Sequence, residues 1–211
     1  MNSSLAIKQL KILKKLIEKD KPRLAAEGWD DDWKTLIAII LSAQTRDVKT
    51  IEVCKKLFEK YPTAEKLGNA SLNEMKKIIK PLNYYKTKAK NIKETSKIIA
   101  EKIKKEKFPD SLEELIKLPG VGRKTANVFL AERRKEAAIG VDTHVSRLAI
   151  KLGWTNKNFN NKKGIEEDLK KLFPKKYWNS INYILVSFGQ IYGKNRKKED
   201  EILRKIKKEK F

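Results

Sequence analysis

Two side chains stand out for the chemistry that they could do together. Lys124 lies in the run LPGVGRKTAN, and Asp142 lies in VDTH, eighteen positions further on. An amine can add to an electrophilic carbon, and a carboxylate can stabilise positive charge that develops beside it. The turn ahead of Lys124 adds a third component. Pro119 stops one helix, Gly120-Val121-Gly122 makes a tight hairpin, and a second helix starts at about Arg123. Glycines allow φ > 0 and let another backbone come close. The unpaired N–H groups opening the second helix point one way and favour an anion. A glycine pair in a turn is ordinary in a helical bundle, and a lysine in a lysine-rich chain is ordinarily solvated. Their company in one stretch is what singles them out.

The rest of the chain suits an anionic partner. Lys plus Arg number 50 against 27 Asp plus Glu, a formal charge of +23 over 211 residues. An excess of that size repels itself unless something anionic is near, and nucleic acid is the first expectation over an acidic membrane surface. No run of 18 apolar residues suggests a spanning helix. The N-terminus lacks the charge, apolar core and small-residue order of a signal peptide. The protein is therefore expected to be soluble and intracellular. The single cysteine, Cys54, forms no internal disulfide and sits at core spacing with Ile51, Leu57 and Phe58. The single histidine, His144, makes no metal site, which needs several ligands. It reads as a hydrogen-bonded structural residue behind Asp142.

Elements that could position these residues follow from periodicity, which is helical throughout; the expected class is all-α. Leu5 to Ile17 form an amphipathic helix that ends near Asp20-Lys21-Pro22. Asp30 to Asp32 offer N-caps for Trp33 to Ala43, a helix apolar nearly all round and so the centre of a domain. A third helix runs to Tyr61. Thr63 caps a short fourth, and Ser71 with Glu74 forms a capping box for the next. A long helix spans Tyr85 to about Lys105. After the hairpin unit, AAIGV is a short extended link. Asp142 caps a helix closed by Gly153, and helices follow at Gly164 to Phe173 and Lys176 to about Gln190. The four tryptophans read mainly as core. The basic tail from Gly193 is either an amphipathic helix around Ile202, Leu203 and Ile206 or a disordered arm.

LPGVGRKTAN…VDTH resembles the helix-hairpin-helix DNA glycosylases, most of all the endonuclease III branch. The blocks LSAQTRD (41–47) and YKTKAKNI (85–92) are similar too, and the likeness extends over about residues 24 to 192. It implies two helical domains with the active-site cleft between them. One is a six-helix domain, 24–136, holding the hairpin at about 112–133; the other combines 1–23 with 137–211. The resemblance makes Lys124 the nucleophile and Asp142 its acidic partner. It makes Gln44 the residue that enters the gap left by a flipped nucleotide. The family's wedge, often GLY or GFY, falls on Asn83-Tyr84-Tyr85, with Asn in place of Gly and Tyr84 as the wedge. Lys86, Lys88, Lys90 and Arg123 are expected on phosphates. Gly120, Val121, Gly122, Thr125 and His144 complete the DNA-contacting set.

The implied activity is that of a bifunctional DNA glycosylase and AP lyase. It removes oxidised pyrimidines from double-stranded DNA and cleaves abasic sites by β-elimination through a lysine Schiff base. Two alternatives stand beside it: a mismatch thymine or uracil glycosylase, and a noncatalytic helix-hairpin-helix DNA-binding protein. Many members hold a [4Fe–4S] cluster on four C-terminal cysteines. Here Gly193 stands where the first would be, and no cysteine follows. Thiolates hold such clusters, so no cofactor and no metal are expected. One flipped nucleotide needs only a monomer.

Overall fold

Apolar residues at helical spacing become helices along the whole chain. The computed structural model describes residues 1–20, 22–105 and 107–208, and among these there are no strands. In order the helices are α1 (Ser3–Ile17), α2 (Asp32–Ser42), α3 (Asp47–Lys60), α4 (Ala64–Asn69), α5 (Leu72–Ile79) and α6 (Tyr85–Lys104). Then come α7 (Leu112–Leu115), α8 (Arg123–Phe129), α9 (Thr143–Leu152), α10 (Lys162–Leu172), α11 (Trp178–Ile191) and α12 (Arg196–Lys208). A π-helical turn, Leu130–Arg134, extends α8, and a 3-10 turn, Lys175–Tyr177, leads into α11. The helices fall into two compact units. The central unit is Arg23–Lys135; the flanking unit joins Met1–Pro22 to Glu136–Phe211.

The central unit is organised around α2. Leu36, Ile37, Ala38, Ile39, Ile40 and Leu41 are all buried, on every side of the helix. Burying one such Leu or Ile contributes about 1.5–3 kcal/mol relative to exposure, so this single helix anchors the unit. α3, α6 and α8 pack against it. α4 lies along α6 so closely that a Cβ at Gly68 would come 2.9 Å from the Lys97 amide nitrogen. Trp29 and Trp33 both meet the Phe58 ring edge-on, with centroids 5.0 and 5.2 Å away.

Two expected caps give way to tertiary partners. Asp31 is the N-cap residue of α2 but makes no side-chain cap bond. Asp32 instead receives Arg133 and Arg134, each at 2.6 Å, and Arg133 also donates to the carbonyls of Trp29 and Asp30. The π turn is thereby tied to the start of α2. Burial would raise the Asp32 carboxyl, but the two arginines hold it below its ordinary value. Ser71 does not cap α5, and Glu74 accepts from Lys60 and Tyr61. Thr63 does cap α4, accepting from the Lys66 amide at 3.1 Å, worth about 1 kcal/mol.

In the flanking unit α1 packs on α11, α11 on α9, and α12 on both α1 and α9. Trp154 donates to Gln9 at 2.6 Å, and the Tyr192 hydroxyl donates to the Leu16 carbonyl. α1 ends at Ile17, ahead of the expected stop, of which Lys21 lies outside the described residues. α10 begins at Lys162, two residues before expectation, because Asn161 caps it through the Gly164 amide. The basic tail takes the helical alternative: α12 buries Leu203 and Ile206.

Candidate active site

The hairpin is the first piece of the site in the central unit. Gly120 has φ +79°, and a Cβ there would meet Asn91 at 2.9 Å and Ile40 at 3.2 Å. Only glycine fits between the hairpin and the helices beneath it. Gly122 is different. Its φ of −92° suits any residue, and a Cβ there would touch nothing within 4 Å. Of the two glycines, Gly120 uses the positive φ that glycine allows, and Gly122 leaves an open face. Thr95 donates to the Pro119 carbonyl at 2.8 Å and pins the turn to α6.

Lys124 occupies the first turn of α8, half-buried, and no hydrogen bond or ion pair engages it among the described residues. Arg123 beside it is exposed. Val121 and Thr125 have buried side chains. The Thr125 side chain therefore faces the core and cannot reach DNA, and Val121 offers a partner only its backbone.

Gln44 and Tyr84 share an unusual geometry. α2 stops at Ser42, and Gln44 then turns left-handed at φ 54°, exposed. Tyr84 is left-handed at φ 57° and 66% exposed, just before α6 begins. Asn83 links them, donating from its side chain to the Gln44 carbonyl at 2.5 Å. Tyr85 is half-buried, and Lys86 and Lys90 are exposed.

Lys88 is not a phosphate contact. It is 5% exposed, and its Nζ donates to the Leu41 carbonyl (2.8 Å), the Ala43 carbonyl (2.7 Å) and the Thr45 hydroxyl (3.1 Å). Three acceptors use all three of its donors. Its place in a run of lysines gave no sign of this, because the acceptors come from a distant part of the chain.

In the flanking unit the AAIGV link is held by α11. The Ala138 amide donates to Asn179 at 3.1 Å, and Asn182 donates to the Gly140 carbonyl at 2.6 Å. Two asparagines one helical turn apart satisfy a backbone that has no strand to pair with. The link delivers Asp142 to the N-cap of α9, where its Oδ1 accepts from the Val145 amide at 2.8 Å. Lys162, at the start of α10, donates to the Ser146 hydroxyl, which in turn donates to the Asp142 carbonyl, both at 2.8 Å. Burial lowers the Lys162 ammonium, and Asp142 opposes the shift. Spacing gave no sign of Lys162.

His144 sits directly on Gly189 of α11: a Cβ there would lie 2.1 Å from its Nδ1. Arg147 approaches that same nitrogen at 3.3 Å, so Nδ1 acts as acceptor. Burial lowers the imidazole, with Asp142 opposing and Arg147 and Arg196 assisting. The ring is held between Gly189 and Arg147.

α12 closes this corner. Glu199 is fully buried and accepts from Arg147, Lys151 and Arg196. Burial would raise its carboxyl, but Arg147 and Lys151 outweigh that and lower it. A Cβ at Gly193 would come 2.2 Å from the Gly189 carbonyl and 3.1 Å from Glu199. The chain's one cysteine, Cys54, is buried in α3 of the central unit, where burial raises its thiol far above the usual range. These residues do not fit an iron–sulfur cluster: no thiolate set exists, and no side chain fits at the first ligand position. Among the described residues there is no group of three His, Cys, Asp or Glu that could hold a metal, and no helix long and apolar enough to cross a membrane.

The chain is similar to known proteins. A family model described as "HhH-GPD superfamily base excision DNA repair protein" matches residues 37–175. Endonuclease III of Thermotoga maritima is 45% identical over 160 residues, covering 76% of this chain and 74% of that protein. Endonuclease III of Rickettsia felis is 35% identical over 198 residues, 92% of each. The solved structure of a trapped endonuclease III–DNA covalent intermediate matches with a TM-score of 0.80 at 31% identity, over 92% of this chain and 88% of that one.

Proposed function

The chain belongs to the HhH-GPD superfamily of base excision DNA repair proteins, as an endonuclease III-like member, and from that premise we propose how its residues do the work. The protein is a base-excision DNA glycosylase with AP-lyase activity. Its substrate is double-stranded DNA with an oxidised pyrimidine or an abasic site, and it acts as a cytoplasmic monomer.

A base within the stack is out of reach, so the nucleotide swings out first. Gln44 and Tyr84, exposed on bent backbone, occupy the gap: the amide pairs with the orphaned base, and the ring stacks. The Gly122 face and the N–H groups opening α8 receive a phosphate, with Arg123, Lys86 and Lys90 adding charge. The Lys124 amine bonds to C1′ as the glycosidic bond breaks, and the base leaves with that electron pair and takes up a proton. The ring opens to an iminium. Loss of a C2′ proton then expels the 3′ phosphate and cuts the strand. Asp142 stabilises positive charge at C1′ and relays protons. No cluster takes part; the α12 contacts fill that corner.

The observation that carries this reading is Lys124: an amine in the first turn after the hairpin, unengaged by any described residue. Borohydride reduction with abasic-site duplex should trap a covalent adduct. Lys124→Ala should abolish the adduct while most DNA binding remains, measured by gel shift. An adduct that persists would place the nucleophile elsewhere.

A further inference from the structure

A left-handed conformation costs a residue other than glycine about 1–2 kcal/mol and persists only where the surroundings impose it. Gln44 and Tyr84 are both exposed, so burial does not hold them. What imposes their shape comes from the start of α6. Lys88 seizes the end of α2 through the carbonyls of Leu41 and Ala43 and the Thr45 hydroxyl. A cation there also complements the helix C-terminus. Thr45 closes a turn on Ser42 through its amide. The remaining carbonyl, that of Gln44, receives Asn83. Asn83 immediately precedes Tyr84, so one hydrogen bond sets the two left-handed residues against each other. Where the resembling family commonly has glycine, no such bond could form.

We propose that Asn83 and Lys88 are positioning residues that hold Gln44 and Tyr84 ready to fill the gap in the duplex. The arrangement is built before DNA arrives. Binding then loses less conformational freedom than it would if a free loop had to be ordered. Burial pulls the Lys88 ammonium down to about 8. A lysine held so firmly, with no carboxylate partner among its bonds, serves the loop that it grips. The proposal rests on the reading of Gln44 and Tyr84 as gap-fillers.

The test compares single-turnover adduct formation on an abasic site in a duplex and on the same strand alone, where there is no gap to fill. Asn83→Ala and Lys88→Met should each slow the duplex reaction about tenfold, the loss of one well-placed hydrogen bond, and leave the single-strand rate within about twofold. Lys88→Arg should restore part of the Lys88→Met loss. Asn83 is exposed, so Asn83→Ala tests the proposal even if Lys88→Met fails to fold. Equal slowing on both substrates would reduce the pair to a purely structural role and overturn the proposal. Gln44→Ala separates the two layers. If it slows the duplex reaction and Asn83→Ala does not, the positioning claim falls alone; if neither does, the gap-filling reading falls with it.

Discussion

Two corners of the molecule each bury one charge, and they resolve it in opposite ways. In the central unit the Lys88 ammonium is met by three neutral oxygens of a single bend. In the flanking unit the Glu199 carboxylate is met by three cations, two from α9 and one from its own helix. Neutral acceptors on the backbone dictate the path of a loop. Opposite charges on separate helices fasten those helices together. The first corner fixes conformation where a substrate is expected, and the second fixes the helix that begins at Asp142.

That contrast breaks most easily at Glu199. Glu199→Ala should destabilise the protein by about 3 kcal/mol, because three cations lose a shared partner. Denaturant titration measures it, and a change under 1 kcal/mol would mean that α12 is not fastened as described. Gly189→Ala comes next. The added methyl would overlap His144, and overpacking of this kind costs about 1–3 kcal/mol. It should also slow adduct formation by unseating the ring behind Asp142, whereas Gly122→Ala, with open space around it, should leave thermal stability unchanged.

The smallest effect sharpens the comparison most. Glu199 has a lowered folded pKa, so its contribution is present above about pH 4.5 and is lost as pH falls through the folded value. Lys88 has a folded value of about 8 against 10.5 unfolded. Between those values the unfolded chain holds more protons, so the parent gains stability on Lys88→Met as pH rises. In melting curves from pH 2 to 10, the gap between the parent and Glu199→Gln should narrow as pH falls below about 4.5, and the parent should gain on Lys88→Met as pH rises above about 8. Parallel curves at either end would remove that corner from the comparison.

The sequence was legible wherever the deciding partner was close along the chain. The apolar girdle of α2, the Thr63 cap, the Asp142 cap and the Gly153 stop each depend on residues within one or two turns. It misled where a distant group competed. Asp32 was drawn to Arg133 and Arg134, a hundred positions on, and Glu74 to Lys60 and Tyr61. Lys88 looked like any lysine in a basic run because its three acceptors lie more than forty residues earlier. Lys162 and Glu199 carry no motif at all. The π turn after α8 has no periodic signature, and the arginines that tie it to Asp32 lie far from that partner in sequence.

The flanking unit is stitched from two segments on either side of the central unit, and this sets an order of assembly. The central unit is one continuous stretch and can close on local contacts as it emerges from the ribosome. α1 precedes the central unit yet finds its lasting neighbour, α11, only after more than 150 further residues have been synthesised. Until then its greasy side, Leu10, Leu13 and Ile17, has no native cover. The surroundings of Asp142, which belong to the flanking unit, are therefore completed after the central unit has closed.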